Sequence, residues 1–416
     1  MNTSTISLKP IREICGRLVS EIPETQKGLE YHIEIGRRLE EMNQSDRKIL
    51  RETLNTFLLH MEKIEASDID LGGHGCVGKI WYRVFGKKSP LNTEVELPVK
   101  ETDVLLHNLL TISQREQFLA QKNLDFSYQI PSDEEDGKTR RYRANLYLDL
   151  ESVALNMRKI DTEIRPFKSL GVHPEIAKAL SLKFYKYGLS LITGITGSGK
   201  SSTLDTIIDA NNRTVDSHIV IIASPVELVH ESIRSVVRHR EVGRDVTSFK
   251  HGAIQALRQD PDIIVIGELR DPETITTTLE ITDSGHKTFG TLHTSSAMES
   301  IERILGEVSS DEQDRVRMRL ADVLTCVISQ KLVSSLDGKR VLAKEVLLVT
   351  PSVRAAIRNN NVNEIYQMLS EGSELGMITM EQDLKRLYDS GKISKEEAYN
   401  NANNKKRMQQ LFDELD

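Results

Sequence analysis

An apolar run, Gly188 to Thr193, leads into Gly194-Ile195-Thr196-Gly197-Ser198-Gly199-Lys200-Ser201, and a helical run, Ser202 to Asp209, follows. The spacing G-x-x-x-x-G-K-[ST], entered from a buried strand and left through a helix, is that of a phosphate-cradling loop. Glycines let successive backbone N–H groups close on a phosphate at a helix N-terminus. Lys200 then neutralises β/γ oxygens, and the Ser201 hydroxyl is placed to coordinate Mg²⁺. Thr196, Gly197, Ser198, Gly199 and Ser202 complete the candidate phosphate contacts. A chance match arises in on the order of one per cent of chains this long, before the strand and helix around it are required. The pattern therefore predicts an α/β fold whose ligands are ATP and Mg²⁺.

Strand and helix patterns around the loop agree with that. Short apolar runs at Gly188 to Thr193, Ile219 to Ile222, Ile263 to Ile266 and Thr288 to Leu292 alternate with helical stretches, which predicts a mainly parallel sheet. From Ser300 onward the chain reads mostly helical.

Upstream, Leu54, Phe57, Leu58, Met61 and Ile64 follow the i, i+3, i+4 rule and predict an amphipathic helix from Leu50. Strands are expected at Lys79 to Phe85, Asp125 to Ile130 and Tyr142 to Leu148, the last two flanking an acidic, turn-rich loop at Pro131 to Thr139. These make a small α+β domain. Residues 1–48, with Ile11, Leu18, Ile22, Leu29, Ile33 and Leu39 at loosely helical spacing, read as a helical extension. Arg165-Pro166 disfavours continued helix and His173-Pro174-Glu175 opens another. The expected organisation is a 1–48 extension, a 49–163 domain, a 164–170 linker and a 171–416 nucleotide-binding domain, helical from about 300.

Composition narrows the partners. The 55 Lys and Arg against 62 Asp and Glu give a net charge of -7, so no global basic field recruits nucleic acid. Cys15, Cys76 and Cys326 are far apart and never form a C-x-x-C pair, which argues against structural zinc and a disulfide framework. No apolar stretch is long enough to span a bilayer, and the first 15 residues lack a continuous apolar signal region; a cytoplasmic protein is expected.

Further residues carry candidate chemistry. Asp262-Ile-Ile-Val-Ile-Gly267-Glu268 is a buried run that delivers an acid at its carboxyl end, where α/β sheets bind ligands; Glu268 would support Mg²⁺ or its water. Read alone, it is an ordinary strand-end carboxylate. Ala223-Ser224-Pro225-Val226-Glu227 ends another buried strand, so Glu227 could act on an attacking water. His286 and His293, seven residues apart, flank one strand and are expected to reach the nucleotide from its two ends. A lone histidine there is more often a hydrogen-bonded structural residue.

The order of these segments, G-x-x-x-x-G-K-S, S-P-V-E-L-V-H, D-P-D-I-I-V-I-G-E-L-R-D and T-L-H-T-S-S-A, resembles the secretion and pilus motor ATPases, and most closely the type IV pilus retraction (PilT) family. The likeness runs from about Ile64 to Glu397 and includes A-S-D-I-D-L, L-D-F-S-Y and R-Y-R-A-N. It implies a PAS-like N-terminal domain, a RecA-like P-loop ATPase domain and a homohexameric ring with ATP between domains of neighbouring subunits. Lys200 and Ser201 fall on the Walker A lysine and serine, Glu227 on the catalytic acid of the Asp box, Glu268 on the Walker B glutamate, and His286 and His293 on the histidine box. Arg143 and Arg158 keep the family's fifteen-residue interval between phosphate-contacting arginines, and Arg303 matches a further arginine of that kind. The implied partners are a PilC-like inner-membrane platform protein and another pilus ATPase. Membrane association would run only through partners, at the pilus base.

The chain departs from the family where the Asp box usually reads E-D-P-I-E and this sequence has Ala223-Ser224-Pro225-Val226-Glu227. It departs again at Ala356-Ile357-Arg358-Asn359-Asn360-Asn361, where retraction ATPases typically carry A-I-R-N-L-I. Several functions are weighed. An assembly or type II secretion ATPase normally carries a four-cysteine zinc element, and only Cys326 follows His293. An accessory PilU-like retraction paralogue stays open. Ala223 and Ser224 would suit a nucleotide-binding ring scaffold with negligible turnover, against which Glu227 and Glu268 argue. A nucleic-acid translocase would need a basic channel, which the acidic balance disfavours.

Overall fold

The computed structural model describes residues 9–90, 96–131, 139–160 and 163–414. Most of the acidic loop expected at Pro131 to Thr139 lies outside the described residues. The chain divides into two compact units, Met1–Thr162 with Ser224–Leu228, and Glu163–Ala223 with Val229–Asp416.

In the first unit, α1 (Lys9–Ser20), α2 (Gly28–Glu41) and α3 (Gln44–Lys63) precede β1 (Ala66–Gly72), β2 (Trp81–Val84) and β3 (Lys87–Pro90). Then come α4 (Val99–His107), α5 (Ile112–Gln121), β4 (Asn123–Ile130), β5 (Arg140–Asp149) and β6 (Ser152–Lys159). The sheet order is β3-β2-β1-β6-β5-β4, with every neighbouring pair antiparallel. Strict alternation turns Leu124, Phe126, Tyr128 and Ile130 of β4 inward. The helix expected from Leu50 starts earlier, at Gln44, because the Asn43 side chain accepts from the Asp46 N–H and caps it.

The leading segment is helical, as expected, and it is packed. Ile11, Ile14, Cys15 and Leu18 of α1 and Ile35 and Leu39 of α2 belong to the same buried cluster as Leu50, Leu54 and Phe57 of α3. The two leading helices are therefore part of this unit's core. Gly36 lets α2 approach α5, since a Cβ there would lie 2.6 Å from Arg115 Cδ. The buried Arg115 guanidinium donates to Gly36 O and Glu40 Oε1. Beside it, His32 Nδ1 lies 3.1 Å from His107 Nε2, and His32 Nε2 lies 2.7 Å from Glu151 O.

The second unit opens with a 3₁₀ turn at Phe167–Leu170 and continues through α6 (Pro174–Leu180), β7 (Gly188–Thr193), α7 (Lys200–Thr214), β8 (His218–Ala223), β9 (Val236–Glu241), α8 (Phe249–Ala256) and β10 (Ile263–Ile266). After these come α9 (Pro272–Asp283), β11 (Lys287–Leu292), α10 (Ala297–Gly306), α11 (Ser310–Val323), β12 (Leu324–Ser334) and β13 (Arg340–Leu348). The C-terminal helices are α12 (Pro351–Arg358), α13 (Val362–Glu371), α14 (Met380–Asp389), α15 (Lys395–Asn401) and α16 (Lys405–Asp413).

Its sheet runs β13-β12-β7-β11-β10-β8-β9, parallel throughout except for β13. The central strands are buried at almost every position, as continuous apolar runs require. This is the expected α/β architecture. Helices predominate after Ser300, and among them β12 and β13 pair antiparallel from Cys326↔Leu348 to Ser334↔Arg340. Thr325, Val327, Ile328 and Val333 favour strand, but helices on either side hid them. Edge strand β9, Val-Val-Arg-His-Arg-Glu, lacked the apolar run that marks its neighbours. Among the described residues no helix is long and apolar enough to cross a membrane.

Candidate active site

Strands β7, β11, β10 and β8 lie side by side and parallel, so their carboxyl ends share one edge of the sheet. The glycine-rich loop rises from β7. Gly194 has φ +148°, and a Cβ on it would lie 2.4 Å from Ser198 Oγ and 2.5 Å from Gln330 O. Gly199, at φ +89°, sits immediately before α7, whose N-terminus has no side-chain cap and no acid in its first turn. Its leading N–H groups are thus left for a ligand. Gln330 of β12 braces the loop, donating from Nε2 to Ser198 O at 2.8 Å.

Lys200 Nζ donates to Gly194 O at 2.7 Å and Ile195 O at 3.1 Å, so the ammonium is folded over its own loop. Thr196, Gly197, Ser201 and Ser202 are exposed, and a Cβ on Gly197 would meet nothing within 4 Å. The Ser198 hydroxyl is buried without a hydrogen-bond partner among the described residues. Uncapped donors, open space over Gly197 and an adjacent ammonium suit a nucleotide polyphosphate. Ser201 and Glu268 are oxygen donors of the kind Mg²⁺ takes.

At the end of β10, Gly267 N–H donates to Ile222 O at 2.8 Å, and Thr291 Oγ1 donates to Gly267 O at 2.5 Å. These bonds from β8 and β11 fix the backbone that presents Glu268. Its Oε1 lies 3.2 Å from His293 Nε2 and its Oε2 lies 2.7 Å from Arg270 Nη2. Burial, followed by the charges of Lys200 and Arg270, lowers the His293 pKa below its ordinary value, and Glu268 opposes them. His293 is therefore neutral at pH 7, in the field of the loop lysine.

The structure separates the two histidines. His286 precedes β11 at its amino end, the length of the strand or about 23 Å from His293. Its Nδ1 sits 3.1 Å from both Ile281 O and Ser284 Oγ, tying off the turn after α9. A strand that carries one histidine to the carboxyl edge carries the other away, so within one chain the two do not meet.

Glu227 follows β8 by four residues, in the segment that groups with the first unit. Arg141 holds this segment, donating from Nε to Glu227 O at 2.8 Å and from Nη2 to Val226 O at 2.7 Å. Arg143 Nη1 lies 3.7 Å from Glu227 Oε1. The fifteen-residue interval is a hairpin: Arg143 of β5 stands directly opposite Arg158 of β6, so both project from one face. Arg158 Nε contacts Asp68 Oδ1 at 2.8 Å, and both guanidinium side chains are substantially exposed, 43% and 63%. Arg303, in the last turn of α10, pairs with Glu307 four residues on. That contact is an exposed helix-surface ion pair, not part of the Glu268 cluster.

Sequence reasoning passed over Arg141, Arg270 and Gln330. Arg270 was visible two residues beyond Glu268. Gln330 lies on a strand, β12, that the mostly helical pattern after Ser300 does not single out.

A family model described as type II/IV secretion system protein matches residues 43–411. The chain is 38% identical over 303 residues, 73% of its length, to the type IV pilus retraction ATPase PilT of Pseudomonas aeruginosa, 86% of which is covered. It is 35% identical over 352 residues, 84% of its length, to a twitching motility protein of Neisseria gonorrhoeae, with 91% of that protein covered. The crystal structure of the pilus retraction motor PilT with bound ADP superposes with a TM-score of 0.75 at 34% identity, covering 85% of this chain and 98% of that one. With its phosphate loop, its strand-end glutamate and these likenesses taken together, the chain belongs to the PilT family of secretion and pilus motor ATPases.

Proposed function

We propose that this chain is the ATP-hydrolysing motor of type IV pilus retraction, working as a homohexamer that drives filament disassembly through an inner-membrane platform protein. The observation that carries the reading is the clamp of His293 and Arg270 on Glu268, on the sheet edge that also bears the loop of Lys200. Bound Mg-ATP supplies the phosphoryl group and the metal charge that offsets its negative oxygens. The chain's own residues do the positioning. Donors at the start of α7 and the Lys200 ammonium would grip the phosphates, and Ser201 and Glu268 would hold the metal side. Glu227 orients the attacking water. Arg143 and Arg158, exposed and opposed on one face, are suited to contact phosphates of a neighbouring subunit, where chemistry would couple to domain movement.

Two experiments test this. ATPase activity of the purified protein should be abolished by Lys200→Ala, and single-turnover hydrolysis on the assembled ring should persist despite Ala223 and Ser224. Deleting the gene should leave many pili that do not retract; a strain without pili would instead mark an assembly motor.

A further inference from the structure

The second unit contains a cavity of ≈390 Å³ that shares no residue with the phosphate loop. Its walls come from the stretch at 171–176, from β13, from the turn at Ser373 to Ile378 and from α14. One wall is shaped by contact: a Cβ on Gly376, at φ +80°, would lie 2.1 Å from His173 Cβ. Val172, Ile176, Val346, Met377 and Ile378 give it an apolar lining.

The polar groups are unevenly satisfied. Gln382 is committed at both ends, with Oε1 accepting from Thr379 N–H and Nε2 donating to Ser370 O. Asp383 is engaged at both oxygens, since Oδ2 accepts the Lys344 backbone N–H at 2.8 Å and Oδ1 receives Arg386 Nε at 2.8 Å. Lys344 is different. The residue is 7% exposed, lines the cavity, and its ammonium has no hydrogen-bond or ion-pair partner among the described residues. Asp383 attracts it, whereas Arg386 and Lys392 repel it, and burial lowers its pKa. His173 Nδ1 accepts from Glu175 N–H, which leaves Nε2 as a donor. An ammonium on a largely buried side chain, with no protein partner among the described residues and an apolar wall opposite, gains when a counter-charge enters the pocket. The volume lies in the range of small-molecule pockets.

We propose that this cavity is a ligand site for a small organic anion, its carboxylate or phosphate on Lys344 and its apolar body against Val172, Ile176 and Met377. The site is separate from the nucleotide site and does not depend on the function proposed above.

The test uses the full chain with saturating Mg-ADP and the fluorescent anion 8-anilinonaphthalene-1-sulfonate as probe. One saturable probe site per chain is expected, weakened roughly tenfold or more in Lys344→Met, which corresponds to the loss of about 1.4 kcal/mol. Displacement by citrate assigns the carboxylate class, and displacement by inorganic phosphate assigns the phosphate class. Equal probe affinity in Lys344→Met and wild type, or no displacement by either anion, overturns the proposal. Should Lys344→Met fail to fold, Val172→Phe, which adds bulk to the apolar wall, must weaken the probe likewise or the proposal falls.

Discussion

Glu268 and His293 end adjacent parallel strands, and the 3.2 Å between Oε1 and Nε2 joins the strand-end acid to a histidine whose pKa burial, and after it the loop lysine, lowers. If Glu268 acts on the metal side of the phosphoryl group, Glu268→Gln should lower kcat on the order of 100-fold while ADP affinity changes little. His293→Ala should cost less, because Arg270 still holds the other oxygen. Steady-state hydrolysis and nucleotide titration on the same preparations decide it.

Bracing of the loop by Gln330 gives a prediction away from the nucleotide. Gln330→Ala removes the donor to Ser198 O and should weaken ADP binding by about 1–3 kcal/mol, read by calorimetry. Gly199→Ala forces a Cβ into φ +89° and should lower stability by roughly 1–2 kcal/mol as well.

Register makes Arg143 and Arg158 partners. Because they stand opposite each other on β5 and β6, their effects on hydrolysis should not add: the double alanine variant should lose less than the product of the single losses. Strict multiplicativity across the four kcat/KM values would show that the two arginines act separately.

Lys287 is fully buried, donates to Ala179 O, and sits 5.4 Å from the Phe289 ring centre. Burial lowers its pKa from 10.5 to about 8. A lysine depressed on folding disfavours the folded state fully below pH 8, and the penalty fades as pH rises toward the unfolded value near 10.4. The stability of Lys287→Met relative to wild type should therefore fall between pH 7 and pH 10, by on the order of 3 kcal/mol. Denaturant melts of both proteins across that range measure it; taking the difference cancels the ionisation of buried Tyr and Cys. A flat difference rejects the assignment.

The His32–His107 pair gives the first unit an acid limit. Desolvation lowers both pKa values, so the folded state binds fewer protons than the unfolded chain below about pH 6.5 and loses stability there. Asp103, raised by burial to about 7, pulls the other way, so comparison with a variant is needed. The acid transition followed by Trp81 fluorescence should be shallower in His107→Leu than in wild type.

Much of the second unit was legible because its strands are buried on both faces. Gly188 to Thr193 and Ile263 to Ile266 match β7 and β10 residue for residue, since an apolar run bounded by turn residues has few other solutions. Polar strands were not legible. β9 carries Arg238, His239 and Arg240 on an edge, and β12 carries Ser329, Gln330 and Lys331, so neither shows the run that betrays a central strand. The loop, Glu268 and His293 could be read from spacing because chemistry fixes their order. His286 precedes β11, so the rule that such sheets bind ligands at strand carboxyl ends puts it on the other edge. Gln330 depended on a contact spanning 132 residues.

Packing of α1 and α2 bears on how such a chain can be shortened or fused. Ile11, Leu18, Ile35 and Leu39 are each at most 4% exposed against α3 and its neighbours. A chain begun at residue 49 would lose the apolar cover over the cluster that holds Leu50, Leu54 and Phe57 and leave Arg115 without its Gly36 and Glu40 acceptors. Such a trimmed protein should aggregate rather than run as a leaner motor. A tag belongs before residue 9, not in place of the first two helices.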